Sequence, residues 1–368
     1  MSSVPRIPAP TDRLYCLDLL RFLAALAVTL YHLCFHQWAL DGSTPVRYPE
    51  LAAWVSYGCL AVPLFFIISG FVISISMTGK TAGQFARGRF LRLYPMFWIC
   101  LLLTAITLSV WGTSERQLSA ATLLANATMS PHLLHQPYLD DPYWTLQVEL
   151  RFYAMMFVLL LFRRGASLLT FAAGWLVLSL VDWFWRIPVL HVQLALDSAP
   201  FFAAGIVFSE IFRRGARSVH WLLLGMALGL GHLRSLANLR EDIGGKNWPV
   251  SEVVILCTLA VFFLIFAGIA TRKIVLHRRP AFITALGGIT YPLYLLHNSI
   301  GVTIFQQCHG AINRWLLLTA VVSGFLLLAY GLWRWVEVPL LRKFRSPAPP
   351  KTVPRQTIPL TSTSVPTT

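Results

Sequence analysis

The sequence predicts an all-α, polytopic membrane protein of about ten transmembrane helices, and three observations predict it. Of 368 residues, 56% are hydrophobic and only 12% are charged, about half the charged fraction of ordinary soluble domains. The mean hydropathy is +0.64. The apolar residues gather into runs of roughly twenty, the length that crosses a bilayer as a helix, with the bases collected in short segments between them.

Taken in order, the runs lie near 15–37, 51–76, 93–112, 147–163, 167–185, 198–212, 218–234, 250–270, 282–306 and 314–335. The segment before them, 1–13, has three prolines in its first ten residues and little helical character. It is expected to lead into a retained first helix, not a cleaved signal peptide. The longest connection, about 112–147, is rich in Ser, Thr, His and Pro, as functional or disordered loops are. From 346 to 368 the chain is Pro, Ser and Thr with scattered bases, a composition that forms no core and predicts a disordered tail. The domain between the two ends is 14–345. No fixed-period repeat and no matched pair of broken helices points to an inverted-repeat transporter.

The net charge is +15, but the bases form no continuous stripe, so no nucleic-acid partner is expected. They behave as topology signals. Of the thirty Lys and Arg, twenty fall on one side, including Arg6, Lys80, Arg87, Arg213, Lys273 and Arg342. Seven fall on the other, among them Arg116, Arg234 and Arg240, and three (Arg21, Arg151, Arg334) lie in or at spans. The positive-inside rule then places both termini in the cytoplasm of a cell's inner membrane. Five of the six cysteines sit inside apolar runs without a CxxC pair, so neither a disulfide framework nor a metal site is expected. Glycine-rich nucleotide loops, nucleophile elbows and HExxH are missing, which removes the common soluble-enzyme chemistries.

Four groups of residues stand out against this apolar background. Arg21 and His32 share the first span, where a cation costs roughly 2.5–3.5 kcal/mol at mid-depth. Eleven residues apart, they lie on one helix face about 16 Å apart along the axis, a geometry suited to a buried site reached from one side. Asp18, three residues before Arg21, is placed to pair with it. His32 has no acid within one turn, so its partner must come from elsewhere. Glu149, near the outer end of the fourth span, is the expected one, holding the imidazole as a general base. Arg89 and Arg92, three apart at the mouth of the third span, suit a forked grip on a phosphorylated group, although topology alone would also place arginines there. Tyr291, Tyr294 and His297 follow one another at three-residue spacing in the ninth span. Glu337 ends the last span, where an arginine partner is the simple explanation.

In order along the chain these segments resemble the membrane acyltransferase-3 family, multi-pass proteins that O-acylate sugars, polysaccharides and some secondary metabolites. Leu17-Asp18-Leu19-Leu20-Arg21 through Tyr31-His32 is similar to the family's R-x10-H opening, with Leu19 where glycine is common. Pro63-Leu64-Phe65-Phe66-Ile67-Ile68-Ser69-Gly70-Phe71 is similar to its VDLFFVLSGF stretch, with Pro63 in place of an acid. Arg89-Phe90-Leu91-Arg92-Leu93-Tyr94-Pro95 matches RxxR-x-x-P. Trp144 through Tyr153 matches W-[ST]-L-x-x-E-x-x-F-Y, and Thr290 through His297 matches SYxxYLxH with Thr for Ser. The resemblance covers about 14–345, with no SGNH domain following it, as in stand-alone members.

The resemblance implies transfer of an acyl group, most simply acetyl, from an acyl-CoA co-substrate with no bound cofactor. Arg89 and Arg92 would hold the donor's phosphates, and Arg21 would orient its arm or stabilise the thioester oxygen. His32 would take the acceptor's proton, oriented by Glu149. Trp144, Tyr153, Tyr291 and His297 would line the substrate site. The acceptor would be a carbohydrate or a glycosylated small molecule, and the oligomeric state stays open. The competing class is a proton-coupled transporter or flippase in which the same ionisable groups form a relay.

Overall fold

The computed structural model describes residues 14–112, 118–162, 167–246, 248–275 and 281–344. The expected 1–13 segment and 346–368 tail, and Arg6, Arg116, Arg163, Arg164, Arg278 and Arg279, lie outside the described residues. Among those described there are helices and no strand. Each of the ten apolar runs falls on a helix: α1 Tyr15–Leu40, α2 Pro49–Ser76, α3 Ala82–Trp111, α4 Asp141–Leu161, α5 Leu168–Phe184, α6 Ala199–Arg214, α7 Ser218–Ile243, α8 Glu252–Ala270, the pair α9 Ala281–Leu296 and α10 Ser299–Cys308, and α11 Arg314–Phe344. Seven of these are long and apolar enough to cross a membrane, with α5 and α9 as shorter apolar helices. The chain is a multi-pass membrane protein.

Among the boundaries that differ from the periodicity, three bear on the placement of charged and site residues. α3 starts at Ala82, about three turns earlier than its apolar run, because Thr81 and Gln84 form a capping box (Gln84 N to Thr81 Oγ1 3.2 Å; Thr81 N to Gln84 Oε1 3.0 Å). Arg89 and Arg92 therefore sit within a helix. α7 runs on to Ile243, which places Arg234 inside a helix and not in a loop. It is 4% exposed and bonded to Asp182 and Asp197, each at 2.8 Å, so a buried charge is matched by charges from neighbouring elements. α9 stops at Leu296, and the ninth run is completed by a second short helix.

The long connection is ordered where it is described. Residues Ala120–Ala127 form a helix, and the carbonyls of Ala127 and Thr128 accept from Trp98 Nε1 (2.9 Å) and Tyr94 Oη (3.2 Å). Trp98 and Tyr94 lie midway along α3. The connection therefore folds back along that helix instead of standing off its end, and it delivers Asp140 to the start of α4.

At the centre is α6, nearly all of whose residues are buried. Its contact with α2 is backbone to backbone: a Cβ on Gly205 would stand 2.2 Å from the Ile67 carbonyl oxygen, and one on Gly70 2.2 Å from that of Phe202. Small residues of this kind let membrane helices approach closely. Around the crossing, Phe202 stacks on Phe66 (4.6 Å) and Phe152 (4.3 Å), tying α2, α4 and α6 together. α9 is pressed in the same way, with Gly287 against Asp18 of α1 and Gly288 against the Trp333 ring of α11. Overpacking costs about 1–3 kcal/mol, so Gly205→Ala is expected to lower the melting temperature in detergent, whereas Gly225→Ala, with nothing near its Cβ, is expected to leave it unchanged or raise it.

Candidate active site

Arg21 and His32 share one face of α1, and the structure gives them separate compartments. Arg21 lies where a narrow chamber of about 140 Å³ meets a wide vestibule of about 920 Å³. His32 lines a third cavity of about 200 Å³ toward the other end of the bundle, where α4 begins and α7 ends. The chamber and the His32 cavity share four wall residues, Val62, Phe66, Thr145 and Tyr294, and Thr145 Oγ1 and Tyr294 Oη are 2.6 Å apart. The expected site reached from one side is thus a site with an approach from each end and a thin polar wall between.

The vestibule is basic: Arg21, Lys80, Arg92, Arg334 and Arg342 line it, with Asp18 and Glu337. Asp18 is 3.7 Å from Arg21, the local pair expected from their spacing. Arg89 reaches into the chamber between the Phe85 and Tyr153 rings, 5.8 and 5.9 Å from their centroids, and its buried Nε has no hydrogen-bond partner among the described residues. Glu149 faces the chamber too, where its Oε1 accepts from Ser69 Oγ (2.8 Å) and Tyr153 Oη (2.6 Å). Gly70 makes this possible by letting α2 settle onto α6 with Ser69 turned toward α4.

Glu149, the expected partner of His32, does not pair with it, because the shared wall stands between their compartments. The partner is another histidine. His297 Nε2 lies 3.1 Å from His32 Nδ1. Two backbone carbonyls assign the tautomers: His297 Nδ1 is 2.7 Å from the Tyr294 oxygen, and His32 Nδ1 is 3.0 Å from the Val28 oxygen. Carbonyls only accept, so each Nδ1 carries a proton. His297 Nε2 then accepts from His32 Nδ1–H, which it shares with the Val28 oxygen. That leaves His32 Nε2 with a bare lone pair and no partner among the described residues. On protonation of Nε2, the charge is met by the same two acceptors through Nδ1.

The other expected site residues divide between compartments. Tyr291 lines the chamber with its hydroxyl on the Leu93 oxygen (3.2 Å), and Tyr153 holds Glu149. Trp144, 44% exposed, lines the His32 cavity together with His36, Ser198, Ser235 and Asn238. Ser69, His36 and Ser235 escaped sequence reasoning; Ser69 alone carried a signal, standing inside a quoted motif beside a glycine.

A bundle of apolar helices that buries an arginine-lined chamber against a histidine-lined one defines a polytopic membrane enzyme. The acyltransferase domain model of the acyltransferase-3 family matches residues 14–334, and the chain belongs to that family as an acyltransferase. The chain is similar to Acyltransferase MdmB of Streptomyces mycarofaciens, 28% identical over 156 residues, 40% of this chain and 39% of that protein. It spans about two fifths of that relative's length. It is also similar to Nodulation protein 10 of Rhizobium leguminosarum bv. viciae, 25% identical over 362 residues, 88% of this chain and 92% of that protein. No solved structure matches. The family decides for a transferase over a transporter. Because Ser69 and Tyr153 both serve Glu149, Ser69→Ala and Tyr153→Phe are expected to be non-additive, the double variant losing less activity than the product of the single losses, as acyl-transfer assays on the four proteins would measure.

Proposed function

We propose that the protein moves an acyl group, acetyl in the simplest case, from acyl-CoA to a hydroxyl of a sugar, polysaccharide or glycosylated metabolite. The observation that carries this reading is the stacking, on one face of α1, of a basic vestibule and its chamber below and an imidazole with an unpartnered nitrogen above, with one wall between the chamber and the His32 cavity. The vestibule suits a polyanion. Its five bases against two acids match the phosphates of coenzyme A, and the unmet donor at Arg89 Nε faces the chamber the pantetheine arm would enter. On this reading the vestibule opens to the cytoplasm of an inner membrane, where both termini lie.

His32 Nε2 takes the proton of the acceptor hydroxyl as its oxygen attacks the thioester carbonyl. The oxygen–carbonyl bond forms, the carbon–sulfur bond breaks, and the coenzyme leaves as thiolate, to which the proton on His32 can pass. His297 and the Val28 oxygen hold the transient imidazolium, the task expected of Glu149. Arg21, at the junction of chamber and vestibule, is placed to orient the arm or meet charge on the thioester oxygen, and Glu149 orders the chamber through Ser69 and Tyr153. The His32 cavity receives the acceptor. Trp144 offers a ring face for a sugar, and Ser235 Oγ and His36 Nδ1, both buried and without partners among the described residues, offer hydrogen bonds to its hydroxyls.

General base catalysis contributes about 10²–10⁴-fold, so His32→Ala is expected to lose at least that lower factor in acyl transfer by detergent-solubilised protein, with thiol release from acetyl-CoA as the readout. Activity close to the parent's would reject the base. Arg92→Ala is expected to raise the KM for acetyl-CoA with little change in acceptor dependence, and the reverse pattern would reject the phosphate grip. Mass spectrometry of surface glycans from cells with and without the gene identifies the acceptor.

A further inference from the structure

The break between α9 and α10 carries both His297 and Asn298, and what holds it comes from two other elements. Asp140, the last residue of the folded-back connection, is 0% exposed. Its Oδ1 accepts from Asn298 Nδ2 (2.7 Å), Ser299 N (3.2 Å) and Ser299 Oγ (2.9 Å). A carboxylate from outside the helix thereby caps α10 at the residue next to the histidine. From the other side Asn298 Oδ1 accepts from Gln37 Nε2 at 2.6 Å. Gln37 belongs to α1, whose last nine residues, His32–Leu40, wind as a π-helix. In an α-helix a residue five beyond His32 would point well away from its face. The i to i+5 repeat of a π-helix returns it to about that face one turn on.

We propose that Gln37, Asn298 and Asp140 form a clamp that positions the histidine pair, with Asp140 and Asn298 as positioning residues for acyl transfer. The ring is closed: His32 leads through one π-turn to Gln37, Gln37 bonds Asn298, Asn298 adjoins His297, and His297 bonds back to His32. Asp140 anchors it to the start of α4. Burial raises the Asp140 carboxyl to about 7, opposed by the Asn298 and Ser299 bonds and helped by Asp141, and its Oδ2 has no partner among the described residues. Apolar side chains would fill the same volume without burying unmet polar atoms. What they would not supply is a fixed register between α1 and the α9–α10 break, and a misplacement of about 1 Å can cost on the order of 10²-fold in rate.

The clamp rests on the reading of His32 as the base, and its test separates the two. The full chain in detergent is assayed for kcat and for the KM of acetyl-CoA, and the rate at which diethyl pyrocarbonate modifies His32 is followed by peptide mass spectrometry, which reports the ring's setting whatever its role. Asn298→Ala is expected to lower kcat roughly 10- to 100-fold with the KM nearly unchanged and the His32 modification rate altered. Asp140→Asn, which keeps an acceptor oxygen, is expected to retain much of the kcat that Asp140→Ala loses. Gln37→Ala combined with Asn298→Ala is expected to lose less kcat than the product of the single losses, since the Gln37 Nε2 bond ends on Asn298, although Gln37 Oε1 also accepts from Ser43 Oγ. If Asn298→Ala does not fold, Gln37→Leu, of similar volume without a donor, decides the matter. Unchanged His32 reactivity, a kcat close to the parent's, a loss confined to KM, or full additivity overturns the clamp. An altered modification rate beside an active His32→Ala protein would reject the base and leave the clamp standing.

Discussion

The organising constraint is that a polar or charged group inside a lipid-surrounded bundle must find its partner within the protein. Four of the deep ionisable groups obey it in different ways. Arg21 takes Asp18 from its own helix. Arg234 takes Asp182 and Asp197 from other elements. Glu149 takes two hydroxyls, Ser69 and Tyr153, and stays clear of the histidines. His32 takes a second imidazole and a backbone oxygen, which fix its tautomer while leaving the other nitrogen open. A carboxylate at His32 would bind the proton more tightly after transfer; a neutral acceptor holds the ring with less hold on the charge.

Those partnerships depend on how closely the helices approach. Gly70 and Gly205 bring α2 and α6 into backbone contact, and that contact sets the depth at which Ser69 meets Glu149. Gly287 lets α9 lie on α1 at Asp18, and the same helix, one break later, presents His297 to His32. The glycines and the site thus belong to one arrangement. Where helices break regular winding, at the π-turns of α1 and the α9–α10 junction, His32, Gln37, His297 and Asn298 gather, because there the backbone can aim two neighbouring residues at one place.

The two approaches differ in kind. The vestibule presents five basic side chains against two acidic ones to a wide opening, whereas the His32 cavity presents an indole, imidazoles and hydroxyls together with the carboxyls of Asp141, Asp197 and Asp242. On the proposed reading a charged donor and a polyhydroxylated acceptor suit these two environments, and the Thr145–Tyr294 wall is where they would meet.

Composition and run length alone determined the helical membrane fold, since burial in lipid demands about twenty apolar residues per crossing, and all ten runs proved helical. Eleven-residue spacing alone put Arg21 and His32 on one face, and the ordered motifs alone pointed to the family. Local pairs were legible as well, Asp18 with Arg21 above all, because helical geometry fixes neighbours three residues apart. What only the tertiary structure decided was who meets whom across helices. Glu149 looked like the partner of His32 because both lie toward the same end. Which face each helix turns to which neighbour is set by glycine contacts, the buried Asp140 cap and a broken span, and no periodicity within one helix encodes its rotation against another.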